Sequence, residues 1–185
     1  MDKITSSNIN KIFRFAVENQ KQNKLKEAQN YYNKILEVNP DHLMSINNLG
    51  KIFRDLGENQ KAKNCFEKAI EINPNYVKAH NNLGAILQGL GENKKAKECY
   101  EKTIEINPNY SDAHYNLGVI FNELREIKKA KECYEKALDI DPLNKKYMVE
   151  YGQILLFLND KFKGYEYIKK GQGVIKFTPS YSKII

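Results

Sequence analysis

Long apolar runs are what this chain most obviously lacks. The longest, Ile154 to Leu158, has five residues, where a helix crossing a bilayer needs about 20. The first ten residues are mostly polar and hold no apolar core of a signal peptide. The location expected from these absences is cytoplasmic, with no membrane partner. Tryptophan is missing altogether, and histidine occurs three times in 185 residues. No metal-ligand cluster or nucleophile–base arrangement can be read from the rest. Gly171-x-Gly173 follows a helical pattern without the strand and helix that a phosphate loop requires. The expectation is a chain that is not itself an enzyme, with no cofactor and no metal.

The net charge of +7 suggests nucleic acid until it is located. Residues 161–185 hold six lysines and one glutamate, and residues 1–30 hold six basic and three acidic groups. The stretch 31–160 carries eighteen basic groups against nineteen acidic ones. A nucleic-acid groove would be lined with positive charge, so no nucleic-acid partner is expected. The lysines and glutamates of the middle stretch read as solvated helix faces.

Prolines are few, but four of the five, Pro40, Pro74, Pro108 and Pro142, stand 34 residues apart. Leu49-Gly50, Leu83-Gly84 and Leu117-Gly118 keep the same period, and Tyr151-Gly152 stays in register. A fixed period of this length marks a stacked array whose units bury their apolar faces against neighbours. Within 43–76, Ile46, Leu49, Gly50 and Phe53 form one helical stripe. Ala62, Phe66, Ala69 and Ile70 form a second one, after a break at Gly57-Glu58-Asn59 in which Asn59 suits an N-cap. Asn73-Pro74 ends the second helix, because the residue before proline avoids the helical region. Small Gly50, Ala62 and Ala69 let the two helices approach beside the bulky side chains. Equivalent residues return in 77–110 and 111–144.

This pattern resembles the tetratricopeptide repeat. The resemblance implies an all-α, right-handed superhelical solenoid of antiparallel helix pairs, in about five units: 9–42, 43–76, 77–110, 111–144 and a degenerate 145–178. Tails of 1–8 and 179–185 flank them. Ile12, Phe15 and Ala16 supply the core stripe of the first unit; in the last, glycines replace the small residues of the second helix and Lys176 stands where proline belongs. Cys65, Cys99 and Cys133 fall at one place in three successive units. Neighbouring helices lie about 9 Å apart, too far for a disulfide, so reduced thiols are expected. His80 and His114 read as packing residues.

In such an array the first helices line a concave groove, which implies a protein-binding module that holds an extended peptide or protein segment. Positions two, five, six, nine, twelve and thirteen of each unit share the face left over from the core. They supply the candidate groove residues Asn47, Asn48, Lys51, Arg54, Lys78, Asn81, Asn82, Asp112, Tyr115 and Asn116. Asparagine recurs at position six, as Asn48, Asn82 and Asn116. Its amide can pair with both the N–H and the C=O of a peptide unit. The series resembles the asparagine ladder of O-linked N-acetylglucosamine transferase arrays. The carboxylate clamp of chaperone-binding arrays does not fit, since Asp112 and Asn116 break its last pair. Groove charge is uneven: Arg14, Lys21, Lys51, Arg54 and Lys78 dominate the early part, and Asp112, Glu123 and Glu150 the later part. A bound segment is expected to place acidic residues near Lys51 and Arg54.

A second reading makes the chain the targeting array of a larger enzyme or assembly, of glycosyltransferase or oxygenase type. The closing stretch, with Val174, Ile175, Phe177, Tyr181, Ile184 and Ile185, departs from the repeat. It is expected either to fold back over Tyr151, Leu155 and Ile168 as a cap or to join two copies in a homodimer through the C-terminal end.

Overall fold

A computed structural model describes residues 8–173. The expected cap or dimer contact of the closing stretch, the 179–185 tail and nearly all of the 1–8 tail lie outside them. Among the described residues there are ten α-helices and no strand. The chain divides into two compact units, Met1–Pro108 and Asn109–Ile185. The first unit holds α1 (Ile9–Lys21), α2 (Leu25–Val38), α3 (Leu43–Asp55), α4 (Asn59–Ile72), α5 (Val77–Gly89) and α6 (Asn93–Ile106). The second holds α7 (Ser111–Glu123), α8 (Ile127–Ile140), α9 (Lys145–Phe157) and α10 (Lys161–Gln172). Inside each unit the helices pack in consecutive antiparallel pairs, and each pair also packs on the next.

One residue turns each pair. Asn23, Gly57, Gly91, Arg125 and Asn159 occupy the same position of the repeat, and all have φ between 58° and 78°. Glycine and asparagine tolerate this left-handed conformation, whereas the Cβ of Arg125 is strained in it. At the far end of each pair, Asn39, Asn73, Asn107 and Asp141 end the second helix with φ between −128° and −138°, each just before a proline. The expected N-cap at Asn59 falls one residue late. Glu58 is the N-cap of α4 without a side-chain capping bond, and its carboxylate pairs with Lys61 instead. Glu92 and Glu126 pair with Lys95 and Lys129 in the same way, each at 2.5 Å.

The core stripe is wider than the sequence pattern implies. Besides Leu49, Gly50, Leu83 and Gly84, the third and tenth positions are closed off: Ser45, Ala79, Ile52 and Ile86 in the first unit, Ala113, Tyr147, Ile120 and Ile154 in the second. Ile52 packs with Ala28, Tyr32 and Ile35 of the preceding pair, and Ala79 with Ile46 and Ala69, a contact that the periodicity of a single helix cannot reveal. Phe15, expected in the core, is 48% exposed. Its counterpart Leu49 packs on Ala16, Ala28, Tyr32 and Ile35 of the preceding pair, and no described pair precedes α1.

Each leucine–glycine pair admits a ring. A Cβ at Gly50 would lie 2.7 Å from the Phe66 ring, one at Gly84 2.6 Å from Tyr100, and one at Gly118 2.7 Å from Tyr134. The α9–α10 pair works differently. A Cβ at Gly152 would lie 2.8 Å from the Gly164 carbonyl oxygen, and one at Gly171 2.6 Å from that of Lys145. The glycines that make the last repeat look degenerate are where two backbones touch.

Candidate functional site

In the first unit, the candidate groove is the face of α1, α3 and α5 that turns away from the paired helices. Its asparagines are not simply pendant. Asn82 Nδ2 donates to Asn47 Oδ1 at 3.0 Å, and Asn47 Nδ2 to Asn48 Oδ1 at 3.4 Å. Asn48 Nδ2 donates to Tyr32 Oη at 3.0 Å, which in turn donates to Gln20 Oε1 at 2.9 Å. This relay crosses three repeats. It gives a physical reason for asparagine in mid-helix, where it is a poor helix former. Asn47 and Asn81 are buried, at 3% and 7% exposure. The position-five residues therefore form the seam between repeats, while Asn48, Lys51 and Asn82 remain half-buried at the surface and Lys78 is exposed. Arg54 is held by its neighbour Asp55 through Nε at 3.2 Å and Nη2 at 2.9 Å.

Burial raises the Tyr32 hydroxyl pKa above its ordinary value, opposed by the Asn48 bond. At the entry to α3, His42 Nδ1 accepts from the Ser45 amide. Phe13 packs edge-on to His42, with ring centroids 5.4 Å apart, and burial depresses the imidazole pKa. His80 Nε2 lies 2.8 Å from the Pro74 carbonyl oxygen. The three cysteines are free, and burial pushes the Cys65 and Cys99 thiols up to about 11. Such thiols are poor nucleophiles at neutral pH.

In the second unit the equivalent face, on α7 and α9, is built of rings. Tyr115 is 6% exposed and stacks on Tyr147, with centroids 4.9 Å apart and planes at 20°. Tyr147 Oη donates to Asp112 Oδ1 at 2.5 Å. Lys146 Nζ stands 4.2 Å from the Tyr115 centroid. Burial, with the Glu150 charge, pushes the Tyr115 hydroxyl up to about 12. Asp112 is exposed and Asn116 half-buried. The structure thus joins Asn47, Asn48 and Asn82 in one network and Asp112, Tyr115 and Lys146 in another. Gln20 lies on the face expected to form the groove, whereas the second-helix tyrosines Tyr32 and Tyr134 read from sequence as core residues and not as part of it. Their signal was present in the repeat of tyrosine 12 residues after glutamine, at Gln20–Tyr32 and Gln88–Tyr100.

Among the described residues no group of three or more His, Cys, Asp or Glu side chains could hold a metal ion. None of the described helices is long and apolar enough to cross a membrane.

Repeated helix pairs turned at a left-handed residue, with a ring seated on each leucine–glycine step, define a class of protein-interaction scaffold. The chain belongs to the tetratricopeptide repeat family. Models described as tetratricopeptide repeat match residues 77–110 and 111–144 and residues 13–42, and one described as TPR repeat matches 50–91. No curated protein sequence is a significant match. Several solved structures share the fold. PilF of Pseudomonas aeruginosa superposes with a TM-score of 0.83 at 18% identity, over 91% of this chain and 78% of that one. MamA from Desulfovibrio magneticus RS-1 gives 0.74 at 22%, over 91% and 96%. YrrB, described as a TPR protein with an unusual peptide-binding site, gives 0.64 at 21%, over 86% and 82%.

Proposed function

We propose that the chain is an adaptor that holds an extended segment of a partner protein along the α1–α3–α5 face, and that it acts by binding rather than catalysis. The observation that carries this reading is the Asn82 amide. Asn47 accepts from its Nδ2 at 3.0 Å and so orients it, and the side chain stands half-buried at the surface, where an amide offers an acceptor and a second N–H. An acceptor and a donor held in fixed positions suit a peptide unit, which offers the complementary pair. Half-burial strengthens such bonds relative to open water. The peptide-binding site in the description of YrrB points the same way.

Charge favours protein over nucleic acid as partner, since residues 31–160 carry eighteen basic and nineteen acidic groups. Lys51 and Lys78 supply the positive charge for acidic residues of the segment. Arg54 contributes less, because Asp55 neutralises it.

Pull-down from source lysate followed by peptide mapping yields the segment. Asn82→Ala should then weaken its binding about tenfold and, because buried Asn47 Oδ1 loses its donor, lower stability by about 1 kcal/mol, so affinity is measured well below the melting temperature. Unaltered affinity would place the ligand elsewhere.

A further inference from the structure

Three second-helix tyrosines occupy one position of the repeat, and two of them have partners below them. Tyr32 Oη donates to Gln20 at 2.9 Å, and Tyr100 Oη to Gln88 at 3.1 Å. In the repeat of Tyr134 the glutamine position holds Asn122, one methylene shorter. Tyr134 is fully buried, and its hydroxyl is the one buried side-chain polar atom among the described residues that has no hydrogen-bond partner. An orphaned buried hydroxyl costs on the order of 1–3 kcal/mol. A native structure retains such a group for a reason.

The place this hydroxyl faces follows from its counterpart. Tyr32 Oη meets groove position twelve of its own repeat, Gln20, and position six of the next, Asn48. For Tyr134 those positions are Asn122 and Glu150. The asparagine of the series has become a carboxylate at this one step. Burial raises the Tyr134 hydroxyl pKa most, and the charges of Glu150 and Glu123 raise it further, as expected for an oxygen set among carboxylates. The surrounding face carries Asp112, Glu123 and Glu150 against Lys146. Lys146, the cation of this face, lies over the Tyr115 ring, and Asp112, hydrogen-bonded by Tyr147, adds to the negative charge.

We propose that the α7–α9 face takes an arginine side chain of the partner segment, its guanidinium paired with Glu150 and one N–H directed to Tyr134 Oη. Arginine fits better than lysine. Its planar fork reaches a carboxylate and a second acceptor together, and it sheds water more readily than a compact ammonium. The hydroxyl is buried and without a partner, and an N–H brought in beside Glu150 supplies the one it lacks.

This inference rests on the groove reading and names a ligand for the second unit. Its first test is an amide-resolved NMR titration of the full chain with N-acetylarginine amide. Shifts should concentrate at residues 119–123 and 146–150, be weaker with the lysine amide, and be lacking with the glutamine amide. Glu150→Gln should reduce the affinity at least tenfold. Tyr134→Phe keeps the ring and removes only the hydroxyl. It should weaken the arginine amide several-fold without lowering the melting temperature, which a purely structural role for the hydroxyl would not do. Equal shifts from the glutamine amide, or an unchanged response in Glu150→Gln, would overturn the assignment. A mapped segment that binds α3 and α5 with unchanged overall affinity after its arginines become glutamine would refute this subsite alone. A mapped segment that shifts no resonance of α3 and α5 would count against the groove itself.

Discussion

The two units solve the same packing problem with different chemistry. In the first, the seam between repeats is polar and satisfied: Asn82, Asn47, Asn48, Tyr32 and Gln20 pass hydrogen bonds across three helix pairs. In the second, the seam is a stack of Tyr115 on Tyr147, and the hydroxyl beneath it has no partner. Gly50 and Gly84 of the first unit each seat a ring, as Gly118 does in α7, whereas the α9–α10 pair sets glycine against glycine. The repeat tolerates either solution because each pair needs only a complementary neighbour. The difference shows where the chain gives up stability, and a binding face is a reason to do so.

The largest effect expected from this comparison lies in the last pair. Gly152→Ala drives its Cβ against the Gly164 oxygen at 2.8 Å and the Ile168 nitrogen at 3.0 Å, and backbone cannot slide aside. The cost should be about 3 kcal/mol in urea unfolding, net of the improved helix propensity. Gly84→Ala meets only the Tyr100 ring, which can tilt, and should cost about 1 kcal/mol. Equal costs would mean that the two packings do not differ as described.

Next comes the orphan hydroxyl. Asn122→Gln should restore the pair seen at Gln20–Tyr32 and Gln88–Tyr100 and stabilise the chain by about 1 kcal/mol. It should also weaken N-acetylarginine amide binding, since the hydroxyl is then occupied. A stability gain with unchanged binding would separate the packing account from the ligand account.

The smallest effect is at the turns. Arg125, with φ 61°, is the one turning residue that is neither glycine nor asparagine. Arg125→Gly should gain somewhat under 1 kcal/mol, as relief of strain outweighs the added freedom of the unfolded chain. A loss in thermal melting would show that the Arg125 side chain contributes more than its backbone costs.

Much of this architecture was legible because the period is exact in residue count. Pro40 through Pro142 and the leucine–glycine steps fixed which helices pair and which residues touch within a pair. Contacts between pairs were not legible. Ile52 lies off the stripe of its own helix and is buried against the preceding pair. Phe15 sits on the stripe and is exposed, with no described pair before α1. The groove residues were legible as a face but not as a network. Asn47 reads as surface by helical phase, yet it becomes the acceptor of Asn82 from the next repeat. Gly164 and Gly171 read as decay of the pattern, because sequence does not say whether a missing side chain leaves a gap or admits a backbone.

The central claim is that partners are held by the first-helix face and not by the outer face of the second helices. Photo-crosslinking tests it most directly, with benzoylphenylalanine placed at Lys51 or Ala85 on the first-helix face and at Glu67 or Glu98 on the second helices. The account predicts partner adducts from Lys51 and Ala85 alone, lost on competition with the mapped segment. Adducts from Glu67 and Glu98, with none from Lys51 or Ala85, would contradict it.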